Sequence, residues 1–153
     1  MERKSFQRPL LSRRRGATLV EFALLLPVLL AILLGIIEFG WLVKNHLTLA
    51  NATREGARAA AVGGSTSVIQ TRITNAGSPL SFTSPNGSIL MQYSTNNGST
   101  YLTWPADSGT SNGVPSGNLV KITATTKHQA LTGFFSFLNN KSLQVSVTMR
   151  REP

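Results

Sequence analysis

Cysteine is absent from the 153 residues, so a disulfide framework, a thiolate metal site and a cysteine nucleophile are all excluded. Acid is scarce as well: six Asp+Glu stand against 15 Lys+Arg, and charged residues make up only 14% of the chain. The formal charge of +9 would by itself point to nucleic acid or another anionic partner. Its distribution weakens that idea, and no nucleic-acid partner is expected. Arg3, Lys4, Arg8, Arg13, Arg14 and Arg15 all fall in the first 16 positions against Glu2 alone, so that head carries +5 and the remaining 137 residues only +4. A chain of this length holds one domain of moderate size.

Catalytic groupings are missing too. A hydrolase needs a base held beside a nucleophile. Past the apolar segment described below, the acids are Asp107 in a Gly/Ser loop, Glu55 and Glu152, with His46 and His128 as the two imidazoles. None of these pairs has metal or triad spacing, and Lys127-His128 reads as an exposed strand end. The serines have no nucleophile elbow, and Gly63-Gly64 lacks the Lys-Ser of a phosphate loop. The expectation is a non-enzymatic protein with no cofactor and no metal.

What the chain does have is one long apolar run. Ala17 to Val43 contains 27 residues with only Glu21 and Glu38 charged, and Phe22 to Ile37 is an uncharged stretch of 16. At the helical rise the whole run spans about 40 Å and its uncharged centre about 24 Å, enough to cross roughly 30 Å of hydrocarbon once the flanks contribute. LLLPVLLAILLGII is apolar around its whole circumference, which favours a membrane span over the central helix of a soluble bundle. Six Lys/Arg precede it, while Lys44, Arg54 and Arg58 follow within twenty residues. The positive-inside rule therefore places the N-terminus in the cytoplasm and everything after Val43 outside. A cleaved secretory signal would have a shorter apolar region of about 7 to 15 residues and a small-x-small site.

Two residues are unusual for a plain anchor. Glu21 sits at the apolar entrance, with Ala17 and Leu25 four positions away on either side, so no basic side chain of its own helix reaches it. A carboxylate in that setting calls for a partner charge. Pro27, inside the span, removes a backbone hydrogen bond and is expected to kink or loosen the helix.

The segment RRRGATLVEF, continuing through ALLLPVLLAILLGIIEFGWLVKNHLTLANATREGARAAAVGG, resembles the TadE-like family of pseudopilins and minor pilins of the tight-adherence (Flp) pilus system. The resemblance covers residues 13 to 64 and rests most on Gly-x-x-x-x-Glu-Phe and Arg-Glu-Gly-Ala-Arg-Ala-Ala; it is weak over residues 65 to 153. It implies cleavage by a prepilin peptidase between Gly16 and Ala17, with Arg13, Arg14, Arg15, Glu21 and Phe22 as recognition and assembly residues. The chemistry is compatible with that expectation. Gly16 presents no side chain and permits the extended backbone that a protease needs, while the three arginines hold the site at the cytoplasmic lipid surface. Cleavage would create an ammonium at Ala17, able to meet Glu21 one turn away or the Glu21 of a neighbouring subunit and so set axial register. An uncleaved anchor is the alternative. The partners implied are the prepilin peptidase, the major pilin, other pseudopilins, the inner-membrane assembly platform and the lipid bilayer. The implied location is the bacterial inner membrane, with entry into the pilus.

Beyond the bilayer, the helical pattern continues to Val62 and breaks at Gly63-Gly64. Ala17 to Val62 is thus expected as one helix of about 70 Å. Its outer half is rich in alanine and includes Gly56, which allows close packing. Arg54 and Arg58 share a solvated face, with Glu55 placed to pair with Arg58. Residues 67–76 read as a short second helix. Strands are expected at Ile89 to Ser94, Tyr101 to Trp104, Lys121 to Thr126 and Leu143 to Met149, the last with Leu143, Val145, Val147 and Met149 on one face. LTGFFSFL, residues 131–138, is apolar enough for a membrane-facing or core turn. The predicted fold is α+β: one long N-terminal transmembrane helix extending into a small antiparallel sheet domain. Its parts are a basic leader 1–16, a span 17–43, a helical continuation 44–64 and a loop-rich domain 65–153. The competing functional reading is an anchored surface or periplasmic binding module that uses the Gly/Ser/Asn-rich residues 77–117.

Overall fold

Helix α1 runs from Arg13 to Ala61 and is followed by α2, Thr66–Ala76. Four strands come next: β1 Gly87–Ser94, β2 Leu102–Thr103, β3 Leu119–Lys127 and β4 Ser142–Arg150, with a 3₁₀ helix, Gly133–Leu138, between the last two. This computed structural model describes residues 13–153, with the backbone alone for Arg13, Arg14, Arg15 and Ala17. The remaining leader, residues 1–12, lies outside the described residues. The chain divides after Ile37, so that Glu38–Pro153 forms a compact unit of its own.

In the N-terminal unit, α1 carries its apolar side chains bare. Leu19, Val20, Phe22, Leu24, Leu25, Val28, Leu29, Ile32, Leu33 and Ile36 are all exposed, and they point in every direction around the axis. The helix continues through Pro27. It also starts at Arg13, before the expected first residue Ala17, so the Gly16-Ala17 junction is helical.

In the second unit, the pattern of α1 changes to an amphipathic one. Leu49, Ala52, Thr53, Gly56, Ala57 and Ala60 are buried at positions i, i+3, i+4, i+7, i+8 and i+11, which is one face of an α-helix. Small side chains on that face let its neighbours come close. A Cβ at Gly56 would lie 2.3 Å from Ile73 Cγ1 of α2, so the glycine is what allows Ile73 to pack there, with Ile122 Cγ2 of β3 at ordinary contact distance beyond, 3.8 Å. The opposite face carries Arg54, Glu55 and Arg58, all exposed as expected. The helix closes in a Schellman turn: Gly63 N–H donates to Ala60 O at 3.1 Å and Gly64 N–H to Ala59 O at 2.8 Å, with Gly63 at φ +85°. The end is covered further by Asn112, whose side-chain amide donates to Ala60 O at 2.8 Å, and by Glu152, whose N–H donates to Ala61 O at 2.8 Å.

The sheet is antiparallel throughout, in the order β2-β1-β3-β4. Its register places Ile122 between Met91 and Val147, and Ala124 between Ile89 and Val145. One face of the sheet is thus continuous and apolar, and together with Leu49, Ala57, Ile69, Ile73 and Phe82 it forms the core. On the other face Thr123 Oγ1 and Ser146 Oγ are 2.8 Å apart across β3 and β4. A long N-terminal apolar helix followed by a small four-stranded antiparallel sheet is the expected α+β architecture.

Candidate functional site

The residues singled out from the sequence lie along the start of α1. Gly16 is exposed, and a Cβ there would meet nothing within 4 Å, so the glycine is not required by packing. Because its backbone is helical, a protease that needs an extended strand must first unwind this turn. Glu21 and Phe22 are exposed side by side. Glu21 has no hydrogen bond or ion pair among the described residues, which leaves its carboxylate available to a partner from outside. The side chains of Arg13, Arg14, Arg15 and Ala17 lie outside the described residues, so their expected roles have no geometry here.

From Thr18 to Ala61 the helix includes an 18-residue window of mean hydropathy 2.7, none of it buried. Among the described residues it is the one helix long and apolar enough to cross a membrane. An all-round apolar surface in water would be unfavourable by about 1.5–3 kcal/mol for each large side chain left uncovered, so lipid or other helices must cover it. The protein is accordingly consistent with a single membrane pass.

A second grouping was not anticipated. Glu38, the other acid of the apolar run, is fully buried within the Glu38–Pro153 unit. Its Oε1 accepts the Leu131 N–H at 3.0 Å, and its Oε2 accepts both the Thr132 N–H and the Thr132 hydroxyl, each at 2.8 Å. His128 Nε2 stands 3.5 Å from Oε1, outside hydrogen-bond geometry but within reach of the charge. On the far side of the ring, Asn45 Nδ2 lies 3.3 Å from His128 Nδ1. The imidazole is thus held between the Asn45 side-chain amide and the Glu38 carboxylate. Glu38 and Asn45 are seven residues apart and therefore share a face of α1.

His128 is consequently not the exposed strand end expected from the sequence. It follows the last residue of β3, and its main chain bonds back to the loop before β4: its N–H donates to Lys141 O at 2.8 Å, and its carbonyl accepts from Asn140 N–H at 2.8 Å. Those bonds turn the ring inward toward α1, while Lys127 stays exposed. The one available signal was Glu38 itself, a carboxylate with no basic residue beside it in an apolar run. Its partners lie more than ninety positions further on, beyond the reach of any local pattern.

Elsewhere, Asp107 accepts the Thr66 N–H at the start of α2 and the Gly109 N–H at 2.8 Å. The Thr66 bond chiefly, with the Gly109 bond added and partial desolvation opposing, holds its carboxyl below the usual aspartate range. The role is that of an N-terminal helix partner.

Comparison with curated proteins and with solved structures gives no match. The likeness is carried instead by α1, where residues 16–58, from the junction glycine to the second arginine of the exposed face, match the model of the TadE-like protein family.

Proposed function

We propose that this chain is a pseudopilin or minor pilin that takes part in assembling a tight-adherence pilus by packing its apolar helix among the helices of other pilins. The family match gives the coarser statement, a pilin-like membrane protein associated with that pilus system. The observation that carries the finer reading is a coincidence of positions. The matched segment opens at Gly16, carries five residues later a Glu21 with no partner among the described residues, and then presents an apolar helix bare on every side. A lipid anchor needs the last of these features but gains nothing from the second.

In this reading a prepilin peptidase cuts between Gly16 and Ala17 at the cytoplasmic surface, where Arg13, Arg14 and Arg15 hold the junction. The new ammonium at Ala17 then neutralises Glu21 of the same or an adjacent subunit. The platform proteins draw the helix out of the inner membrane to join the major pilin and the other pseudopilins, while the sheet domain stays outside the cytoplasm. No catalytic role or cofactor is assigned to the chain. N-terminal sequencing of the protein from cells that contain the peptidase tests the proposal: the expected mature chain starts at Ala17. A retained Met1, or a start beyond Val43, refutes processing at this junction and shifts preference to an uncleaved, anchored binding module.

A further inference from the structure

Resting on the reading of α1 as a membrane span, we propose that the loop Leu131–Leu138 enters the outer part of the lipid bilayer beside α1 and sheathes Glu38 from the lipid. The loop is unusually apolar for an exposed segment. Leu131, Phe134 and Phe137 are 57%, 65% and 68% exposed, with Phe135 half-buried between the two other rings. Its ring centroid is 5.3 Å from that of Phe134 and 6.0 Å from that of Phe137, both edge-on, so the three aromatics form one cluster with the outer two rings exposed.

Three further observations place that cluster against lipid rather than in water. Glu38 follows Ile37, the last residue of the uncharged run, so whatever covers that run reaches Glu38 as well. The apolar surface then resumes past it, with Phe39, Val43 and Leu47 exposed. A bare carboxylate would interrupt this surface, and the hydrogen bonds from Leu131 and Thr132 remove the interruption by taking the whole charge into the protein. With Glu38 covered, the lipid-compatible stretch runs from Phe22 to Val43, about 33 Å of helix against the roughly 30 Å of a bilayer core.

The backbone entering and leaving the 3₁₀ turn finds hydrogen-bond partners inside the protein. The N–H groups of Leu131 and Thr132 end on Glu38, that of Ala130 on Asn139 Oδ1, that of Asn139 on Ser136 O and that of Lys141 on Leu138 O. Irregular backbone is tolerated at membrane depth only when it is satisfied in this way. The flanks match an interface. Exposed Lys127 and Lys141 bracket the loop, no acid lies between them, and the Lys44 ammonium sits 4.1 Å over the Trp41 ring.

The absence of cysteine makes the test direct. Single variants Phe137→Cys, Leu131→Cys, Leu25→Cys and Gln70→Cys of the full chain are labelled with an environment-sensitive fluorophore and reconstituted in phosphatidylcholine/phosphatidylglycerol vesicles. Each is quenched by nitroxide lipids and, separately, by aqueous iodide. The expected result is severalfold stronger lipid quenching and weaker iodide quenching at Phe137 and Leu131 than at Gln70, with Leu25 quenched most by lipid. Phe137 and Leu131 probes that behave like the Gln70 probe, while Leu25 remains quenched by lipid, overturn the inference and leave the span intact. A Leu25 probe untouched by lipid quenchers overturns both. Protection at Phe137 that arises only when purified major pilin is added assigns the loop to a protein partner and likewise overturns it.

Discussion

Thr132 donates two hydrogen bonds, from its N–H and its hydroxyl, to the same carboxylate oxygen of Glu38, 94 residues earlier. That contact fixes the loop after β3 to α1 at the first residue of the Glu38–Pro153 unit. Replacing Glu38 with Leu should leave two partly buried N–H groups without their acceptor and destabilise the unit by about 3 kcal/mol, while Glu38→Gln, which keeps one acceptor oxygen, should cost about half as much. Hydrogen exchange on the full chain in detergent checks this. Faster exchange is expected at Leu131 and Thr132, with the amides of β3 little changed in the Gln variant.

Gly56 and Ile73 make a second prediction. A methyl group added at Gly56 would overlap Ile73 Cγ1 and Cδ1, so Gly56→Ala should destabilise by about 1–3 kcal/mol despite alanine's higher helix propensity. Ile73→Ala in the same chain should recover part of that loss, because it vacates the space. Gly40→Ala, where a Cβ meets nothing within 4 Å, should be neutral or stabilising by up to about 1 kcal/mol. Thermal unfolding of the three variants gives the comparison, and equal shifts for Gly56→Ala and Gly40→Ala would contradict the packing argument.

These contacts show what the sequence carried. The alternation of Leu143, Val145, Val147 and Met149 gave β4 its inward face because a strand repeats every two residues, and the alanine-rich outer half of α1 with Gly56 announced close packing there. Turn residues at Gly63-Gly64 stopped α1 within a residue of the expected end. Local patterns of this kind cannot report a pairing across 94 positions. Glu38 therefore read as a charge inside a span, and His128 as the exposed end of β3. The coverage of the α1 terminus by Asn112 and Glu152 is equally non-local, and neither residue carries a pattern that announces it. At the candidate processing site the residues alone marked Glu21, as a charge at the entrance of an apolar run; Gly16 was singled out by the family resemblance, and the helical state of that junction was not legible.

Asp107 supplies a pH dependence. Its carboxyl is held below the ordinary aspartate value by the Thr66 and Gly109 N–H groups, so the unfolded chain binds this proton more readily than the folded one. The stabilisation is therefore fully present above the unfolded value of about 3.9 and is lost as pH falls through the lower folded value. Asp107→Asn should lower the melting temperature of the Glu38–Pro153 unit at pH 7, and the gap between variant and wild type should close on acidification below about pH 4. A gap that stays constant down to pH 2 would show that the Thr66 contact does not depend on charge.

Glu21 decides between an assembly element and a mere anchor. An ionised carboxylate at the centre of a membrane helix is unfavourable by about 2.5–3.5 kcal/mol on insertion scales, and by less near the interface where Glu21 lies. An anchor would be better without it. If the residue instead pairs with the Ala17 ammonium that cleavage creates, then Glu21→Gln should leave insertion and cleavage intact while lowering pilus abundance and co-purification with the other pilins. Gly16→Leu, by contrast, should block cleavage itself, because a branched side chain then occupies the position at the cut. The two variants thus act at different steps, and only the first yields a processed protein that fails to assemble. Expression of Glu21→Gln and Glu21→Leu in a deletion strain, at membrane levels matched by blotting, separates the readings. Wild-type pilus abundance with both variants would remove the role assigned to Glu21 and favour an anchored binding module, whose function does not depend on a charge at the membrane entrance.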